Sequence, residues 1–272
     1  MLLIEDMNMT KQFEETPDSV IKKSGISRVI PCKEIELSDP IKWLSLGIQD
    51  FRSAPILSIF YGLLFAIIPW SITYLVALTG WHIIIMPALV CFMLLGPFLA
   101  AGLYDISWEL EKGHSPNIWH SLKALKRNAV NEWAFCLMLT LIMIFWLRVA
   151  SLLHALYPSY LDPTLTNLLP FLLIGTGVGA VFTGIVFLLT AFTQPILMER
   201  QVDLATAVLT SINAVWLNKT PMFVWSAVIF TTVAIGFVTG FIGFIVLMPV
   251  IGYASWHAYI DCIETKRQRN YI

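Results

Sequence analysis

Side chains able to do acid–base or ligand chemistry gather where apolar segments of this chain end. His257 and Asp261 are four residues apart, so on a helix they share a face, where the carboxylate could fix the tautomer of the imidazole. Polar and aromatic residues that close two other apolar segments complete a candidate inner-face cluster: Tyr104, Asp105, Trp108, Arg200, Asp203, Trp256, His257 and Asp261. If these residues converge, we expect them to bind a polar head group, a metal or a loop of a partner.

Arg148 is the one Lys or Arg residue that lies inside an apolar segment. A charged group at such a position marks a functional site by default. Its long side chain could instead reach the nearer membrane interface, or pair with Asp162 in the linker that follows. Two interpretations are therefore open, namely a ligand or gating role and a structural role.

Cofactor and metal chemistry is not indicated. The chain has four cysteines and five histidines, and none of them forms a CxxC pair or a zinc-finger spacing. The histidines are divided between opposite ends of the apolar segments, whereas a haem core needs several that face one another. We expect no cofactor, no bound metal and no catalytic constellation. The net charge of −1 gives no sign of nucleic-acid binding.

The composition is that of a membrane protein. Among 272 residues, 57% are hydrophobic and 13% are charged, and the mean hydropathy is +0.75. A soluble domain carries about 25% charged residues, because its surface must be hydrated. With half that share, most of the surface must face lipid.

Six membrane spans are predicted. A helix needs about 20 apolar residues to cross the bilayer core. The last apolar block is too long for one crossing, so we divide it at a turn near residues 238–240. The predicted spans are residues 54–78, 81–104, 133–156, 168–192, 221–238 and 241–260. They form a transmembrane domain of residues 38–264, between a polar, mobile N-terminal tail, 1–37, and a basic C-terminal tail, 265–272.

The distribution of basic residues orients these spans. Sixteen of the seventeen Lys and Arg residues lie on one side, and Arg148 is the exception. The positive-inside rule makes that side cytoplasmic, so we predict that both termini are in the cytoplasm.

A short amphipathic stretch precedes each pair of spans. Before the first pair, apolar residues recur at helical spacing at Ile41, Leu44, Ile48 and Phe51, and similar patterns precede the other two pairs. Such helices lie in the membrane interface. The predicted fold is therefore an all-α polytopic membrane bundle of six transmembrane helices in three hairpins, each preceded by a short interfacial amphipathic helix. The three units are either a true repeat or the ordinary form of a loop-to-span junction.

This topology offers a second interpretation of the candidate cluster. Trp and Tyr residues form aromatic belts at membrane interfaces, and acidic residues cap and solvate the ends of helices. On this interpretation the eight residues mark the inner boundary of the membrane and bind no ligand.

The landmarks together resemble a family of bacterial integral membrane proteins of unknown function, some of which are automatically labelled cytochrome c oxidase. The resemblance covers about residues 38–262. It rests on Trp43, Gly47, Asp50, Pro55, Tyr61, Gly62, Gly96, Pro97, Gly102, Leu103, Tyr104, Ser107, Glu111, Gly113, Pro195, Arg200, Asp203, Ser211, Pro221, Met222, Trp225, Pro249, Gly252, Ala254, Trp256, His257, Tyr259 and Asp261. It implies a six-span protein of the bacterial inner membrane, with no catalytic residues to carry over and a respiratory context at most.

Three functions follow as hypotheses. The first is a non-catalytic accessory, scaffold or assembly factor, whose partners are the lipid bilayer and other inner-membrane proteins. The second is a transporter or channel for a small solute or lipid, in which Arg148 would act. The third is an enzyme that acts on lipid at the cytoplasmic face through His257, Asp261 and Asp105. We expect the first, and the oligomeric state is left open.

Overall fold

The protein is built from helices. Its structure, a computed structural model, describes residues 29–80, 85–124, 128–155 and 165–264, and these ranges contain helices and no strand. In chain order the helices are α1 (Asp39–Ser53), α2 (Pro55–Thr79), α3 (Ile85–Glu111), α4 (Ile118–Ala124), α5 (Ala129–Ala155), α6 (Leu165–Thr190), α7 (Thr193–Glu199), α8 (Leu204–Leu217), α9 (Lys219–Val238) and α10 (Phe244–Cys262).

Several of the helices are long and apolar enough to cross a membrane. In the described part of the chain there are four: Pro55–Thr79, Ala129–Ala155, Leu168–Glu199, which joins α6 to α7, and Lys219–Val238. The all-helical membrane architecture is thereby confirmed. The second and sixth predicted spans coincide with α3 and α10, but six crossings in three hairpins stay a prediction. Helix α3 also continues to Glu111, past the predicted end of its span at residue 104.

Helix α10 is the centre of the packing. Most of its residues are buried, because α1, α2 and α3 surround it. The chain enters it from α9 through a tight turn in which Gly240 and Phe241 have positive φ angles of 61° and 70°. This turn lies close to residues 238–240, where it was predicted from the sequence. A helix enclosed by protein needs a less apolar surface than one enclosed by lipid, and α10 carries buried Tyr253, Trp256 and His257.

Two glycines allow the neighbouring helices α1 and α2 to approach α10 closely. A Cβ at Gly47 in α1 would lie 2.5 Å from the carbonyl oxygen of Val250, and one at Gly62 in α2 would overlap the backbone of Ile245. Both neighbours are backbone atoms of α10 and cannot rotate aside. Close backbone contact of this kind is how small residues hold membrane helices together.

The segment before α1 is held by hydrogen bonds. The segment was predicted to be part of a mobile tail, but the Ile30 amide donates to the Thr210 hydroxyl and the Ile35 amide donates to the Asn218 side chain. The Lys33 amide also donates to the carbonyl oxygen of Cys262, at 2.8 Å. This strap, residues 30–35, therefore ties α8 and the end of α10 together. Residues 1–28 and 265–272, the rest of the two predicted tails, lie outside the described residues.

We expect Gly62→Ala to lower stability by about 1–3 kcal/mol, because the added methyl group pushes α2 away from the backbone of α10. The matched control is Gly175→Ala in α6, where a Cβ would meet nothing within 4 Å. Thermal unfolding of the two variants in mild detergent measures the difference. Equal melting temperatures would show that the α2–α10 contact does not need a glycine.

Candidate functional site

A buried polar cluster lies where α1, α3 and α10 meet. His257 Nε2 is 2.9 Å from Asp50 Oδ2, and the Ser107 hydroxyl donates to the same carboxylate oxygen. On the other side of the ring, His257 Nδ1 is 3.4 Å from Glu111 Oε1, which is within ion-pair range but not aligned as a hydrogen bond. Ser107 and Glu111 are four residues apart on α3, so one helix face supplies both.

The arrangement suits a charged imidazole held between two carboxylates. Each ring nitrogen faces an acidic oxygen, and both interactions favour the imidazolium form. Ser107 is fully buried, and His257 is 4% exposed. Asp50 accepts the hydrogen bond from Ser107 and faces His257, so this cluster joins α1, α3 and α10.

The pairing of His257 with Asp261 that the four-residue spacing suggested is absent from the structure. Asp261 accepts a hydrogen bond from Trp43 Nε1 at 2.8 Å and lies 3.8 Å from Lys42 Nζ. The reason is the course of α1, which runs antiparallel to α10. Trp43 and Asp50 are two helical turns apart, so each meets a different turn of α10.

A second pair of carboxylates on α3 holds two histidines of the following segment. Asp105 Oδ2 is 2.8 Å from His120 Nδ1, and Glu109 Oε2 is 3.1 Å from His114 Nδ1. Glu109 also accepts from Lys112 Nζ at 2.6 Å. Burial raises the pKa of Glu109, but the hydrogen bonds from Lys112 and His114 outweigh it and leave the pKa below its ordinary value. Both carboxylates therefore fix the segment that leads into α5.

The aromatic candidates are part of the core. Trp256 stacks on Tyr104 with a centroid distance of 6.2 Å and also contacts Trp108 at 6.0 Å. All three are at most 9% exposed. Tyr259 joins them at 5.4 Å from Trp256, and its hydroxyl donates to Glu199. These residues pack helices together instead of facing a membrane interface, whereas other tryptophans are exposed: Trp70, Trp119, Trp133 and Trp216.

Arg200 and Asp203 stabilise the chain where α7 ends and α8 begins. The Arg200 guanidinium donates to the carbonyl oxygen of Glu264, and its Nε lies 3.7 Å from Glu199. Asp203 is the N-cap of α8 and accepts hydrogen bonds from the amide and the hydroxyl of Thr206. Of the eight candidates, the structure thus brings Tyr104, Trp108 and Trp256 into one core. His257 lies in the polar cluster with Asp50, and the other four have separate partners.

Arg148 lies in α5 with an exposed side chain. Its suggested partner, Asp162, is outside the described residues. An exposed arginine near the end of a span can extend toward the interface, and the role of Arg148 stays a prediction.

Sequence reasoning missed a carboxylate that the structure buries. Glu132, 2% exposed in the first turns of α5, accepts a hydrogen bond at 2.7 Å from Gln194 Nε2, which also donates to the carbonyl oxygen of Pro97. Glu132 was not predicted to be buried because it lies at the end of a polar stretch of the sequence. Asp50 left a usable signal, because it shares a helix face with Trp43 and Gly47, seven and three residues before it.

Part of the chain matches a known protein family. Residues 85–199 match the family model of DUF2189, described as a predicted integral membrane protein. These residues are similar to that family. The resemblance to a family of integral membrane proteins is therefore confirmed over these residues, which run from α3 to α7. The DUF2189 match contains Tyr104, Asp105 and Trp108 but not the helices that supply Asp50 and His257.

The other comparisons found no relatives. No curated protein and no solved structure matches the chain. Within the described ranges, no three His, Cys, Asp or Glu side chains are grouped so that they could hold a metal ion.

We expect His257→Ala to cost about 3–5 kcal/mol of stability, because it leaves the buried carboxylate of Asp50 without the cation beside it. Asp50→Ala should cost a similar amount, and the double variant less than the two together, since they share one interaction. The free energies of unfolding of the single and double variants, measured in detergent, give the coupling energy between Asp50 and His257.

Asp203→Ala is the matched control, since it removes an exposed helix cap worth about 1 kcal/mol. If the stability losses of the Asp50 and His257 single variants simply add in the double variant, the pairing of the two residues is contradicted.

Proposed function

We propose that this protein is a non-catalytic accessory or scaffold protein of the bacterial inner membrane that binds other membrane proteins, with both termini in the cytoplasm. One observation carries the proposal. In the most apolar stretch of the span Leu168–Glu199 no residue is buried, whereas α10 is almost enclosed. The molecule thus combines a packed end with a span that keeps a face open to other helices.

The free side of α6 has the surface that membrane helices use to associate. Gly177, Ala180 and Gly184 are exposed, and a Cβ at either glycine would meet nothing within 4 Å. Gly177 and Gly184 are seven residues apart, or about two turns, so they lie on one face. Helix α5 approaches another face, where Trp146 is 3.4 Å from the Cβ position of Gly179. Small residues let helix backbones approach closely in lipid, so we take the partner to be a transmembrane helix of another inner-membrane protein.

The polar contacts support this function over an enzyme acting on lipid. The three residues that such an enzyme would use are each paired inside the protein: His257 with Asp50, Asp105 with His120, and Asp261 with Trp43. The outward position of Arg148 likewise supports it over a transporter, because a charge on a transport path faces the interior of the bundle.

We expect Gly177→Leu and Gly184→Leu each to reduce partner recovery severalfold, because the larger side chain keeps the partner helix at a distance. The protein is purified in mild detergent from bacterial inner membranes, and co-purifying chains are identified by mass spectrometry. Haem absorption together with oxidase subunits would identify a respiratory partner.

Gly175→Leu is the matched control, because it makes the same change on the opposite face of α6, where a Cβ also meets nothing within 4 Å. Equal recovery with all three variants would exclude the Gly177–Gly184 face. A protein that purifies alone from native membranes would contradict the scaffold function.

A further inference from the structure

We infer that the cluster of Asp50, Ser107, Glu111 and His257 is a pH-sensitive latch, which fastens the last turns of α1 while His257 is protonated and loosens them when the ring loses its proton. The inference goes beyond the scaffold function and does not depend on it. It starts from the position of the His257 ring, which is 4% exposed and lies between carboxylates of two different helices.

The His257 ring can hold both carboxylates only while it is charged. Its Nε2 is 2.9 Å from Asp50 Oδ2, and its Nδ1 is 3.4 Å from Glu111 Oε1. An imidazolium carries a proton on each nitrogen, whereas a neutral imidazole carries one only, so one carboxylate then faces a lone pair. The hydrogen bond that is left is no longer charge-assisted and is about half as strong. The latch is therefore strongest below the pH range in which the ring titrates and weaker above it.

The groups that face the ring come from α1 and α3. Asp50 is supplied by α1, and Ser107 and Glu111 are supplied by α3. The Ser107 hydroxyl donates to Asp50 and does not titrate, so it stays when the ring is neutral. It carries no charge and cannot replace the cation beside Asp50.

The other charged or titratable groups of the helices around α10 contact different partners. Helix α2 contains no charged residue, and its Tyr61 hydroxyl lies against Gly102 of α3. Arg52, in the last turn of α1, is exposed. The remaining contacts are Lys42 with Asp261, Asp105 with His120, Glu109 with His114, Glu199 with Tyr259, Lys219 with Trp216, and Tyr253 with Ser58. The charge of the latch thus changes mainly through His257, the side chain type that titrates between about pH 5 and 8.

Glu111 gives the buried ring a route to water. Its side chain is 25% exposed, whereas that of His257 is 5% exposed. Glu111 is also the last residue of α3, so its carboxylate lies where the helix leaves the core. A proton can therefore pass between His257 Nδ1 and the solvent at this end of α3 without opening the core.

Helix α1 has a second attachment to α10 that needs no histidine. Trp43 Nε1 donates to Asp261 at 2.8 Å, and Gly47 lets the two backbones approach. The latch holds the other end of α1, where Ala54 is the only residue between α1 and α2. Loss of the proton therefore loosens α1 only at the end from which the chain enters the span α2.

The test is hydrogen–deuterium exchange of the full-length protein in mild detergent at about pH 6 and about pH 8.5. Protection factors correct for the intrinsic effect of pH on exchange. Those of the amides of residues 50–54 should fall about tenfold at the higher pH, because the local opening that exposes them becomes less costly. Those near Trp43 and in α6 should not change. Equal protection of residues 50–54 at both pH values would overturn the inference, and so would an equal loss in all helices.

Three variants assign the effect to the latch. His257→Gln cannot titrate, so residues 50–54 should be weakly protected at both pH values. Glu111→Gln keeps the ring and Asp50 but removes one of the two charges that favour the imidazolium, so the midpoint of the pH transition should move about one pH unit lower. His120→Gln is the matched control, because His120 also contacts a carboxylate of α3, at Asp105, and this variant should keep the pH dependence of α1.

The outcomes remain decisive if one variant fails to fold. An unchanged midpoint in Glu111→Gln rejects the latch even without data on His257→Gln. A pH dependence of α1 that disappears in His120→Gln assigns the effect to the segment after α3 and rejects it as well.

Discussion

The contact between α1 and α10 is the interaction on which the rest of the structure depends. Gly47 lets the two backbones approach, and the approach brings Trp43 to Asp261 and Asp50 to His257. Without it, Asp50 of α1 and His257 of α10 would each lose a buried partner of opposite charge, which is costly. The amphipathic helix that the sequence placed in the membrane interface is therefore also one wall of the core.

The sequence was most informative where lipid is the neighbour. A lipid-facing helix must be apolar throughout, so its position can be read directly, and the helices at Pro55–Thr79, Ala129–Ala155 and Lys219–Val238 lie close to the predicted spans. The amphipathic stretches likewise became α1, α4 and α8. The turn into α10 also lies where the apolar block was divided, because a single helix of that length would exceed the membrane.

The sequence was least informative about which polar residues meet. Asp50 and His257 are 207 residues apart, and no local pattern connects them. Spacing on one helix suggested Asp261 as the partner of His257, because it could not include the helix that crosses between them. For the same reason, the sequence left two interpretations of Tyr104 and Trp256 open, namely a ligand-binding cluster and an aromatic belt at the membrane interface. Burial, which separates these alternatives, is a property of the assembled helices.

The long separation between Asp50 and His257 also bears on how the protein is made. Spans α2, α5, α6 and α9 are apolar enough to enter the bilayer one by one as they leave the ribosome, since insertion needs no partner helix. The central helix α10 is the last of the described helices to be synthesised, and α1 is the first. Asp50 is therefore synthesised long before the histidine that it contacts. The core around α10 can be completed only after α10, the last of the described helices, has been synthesised.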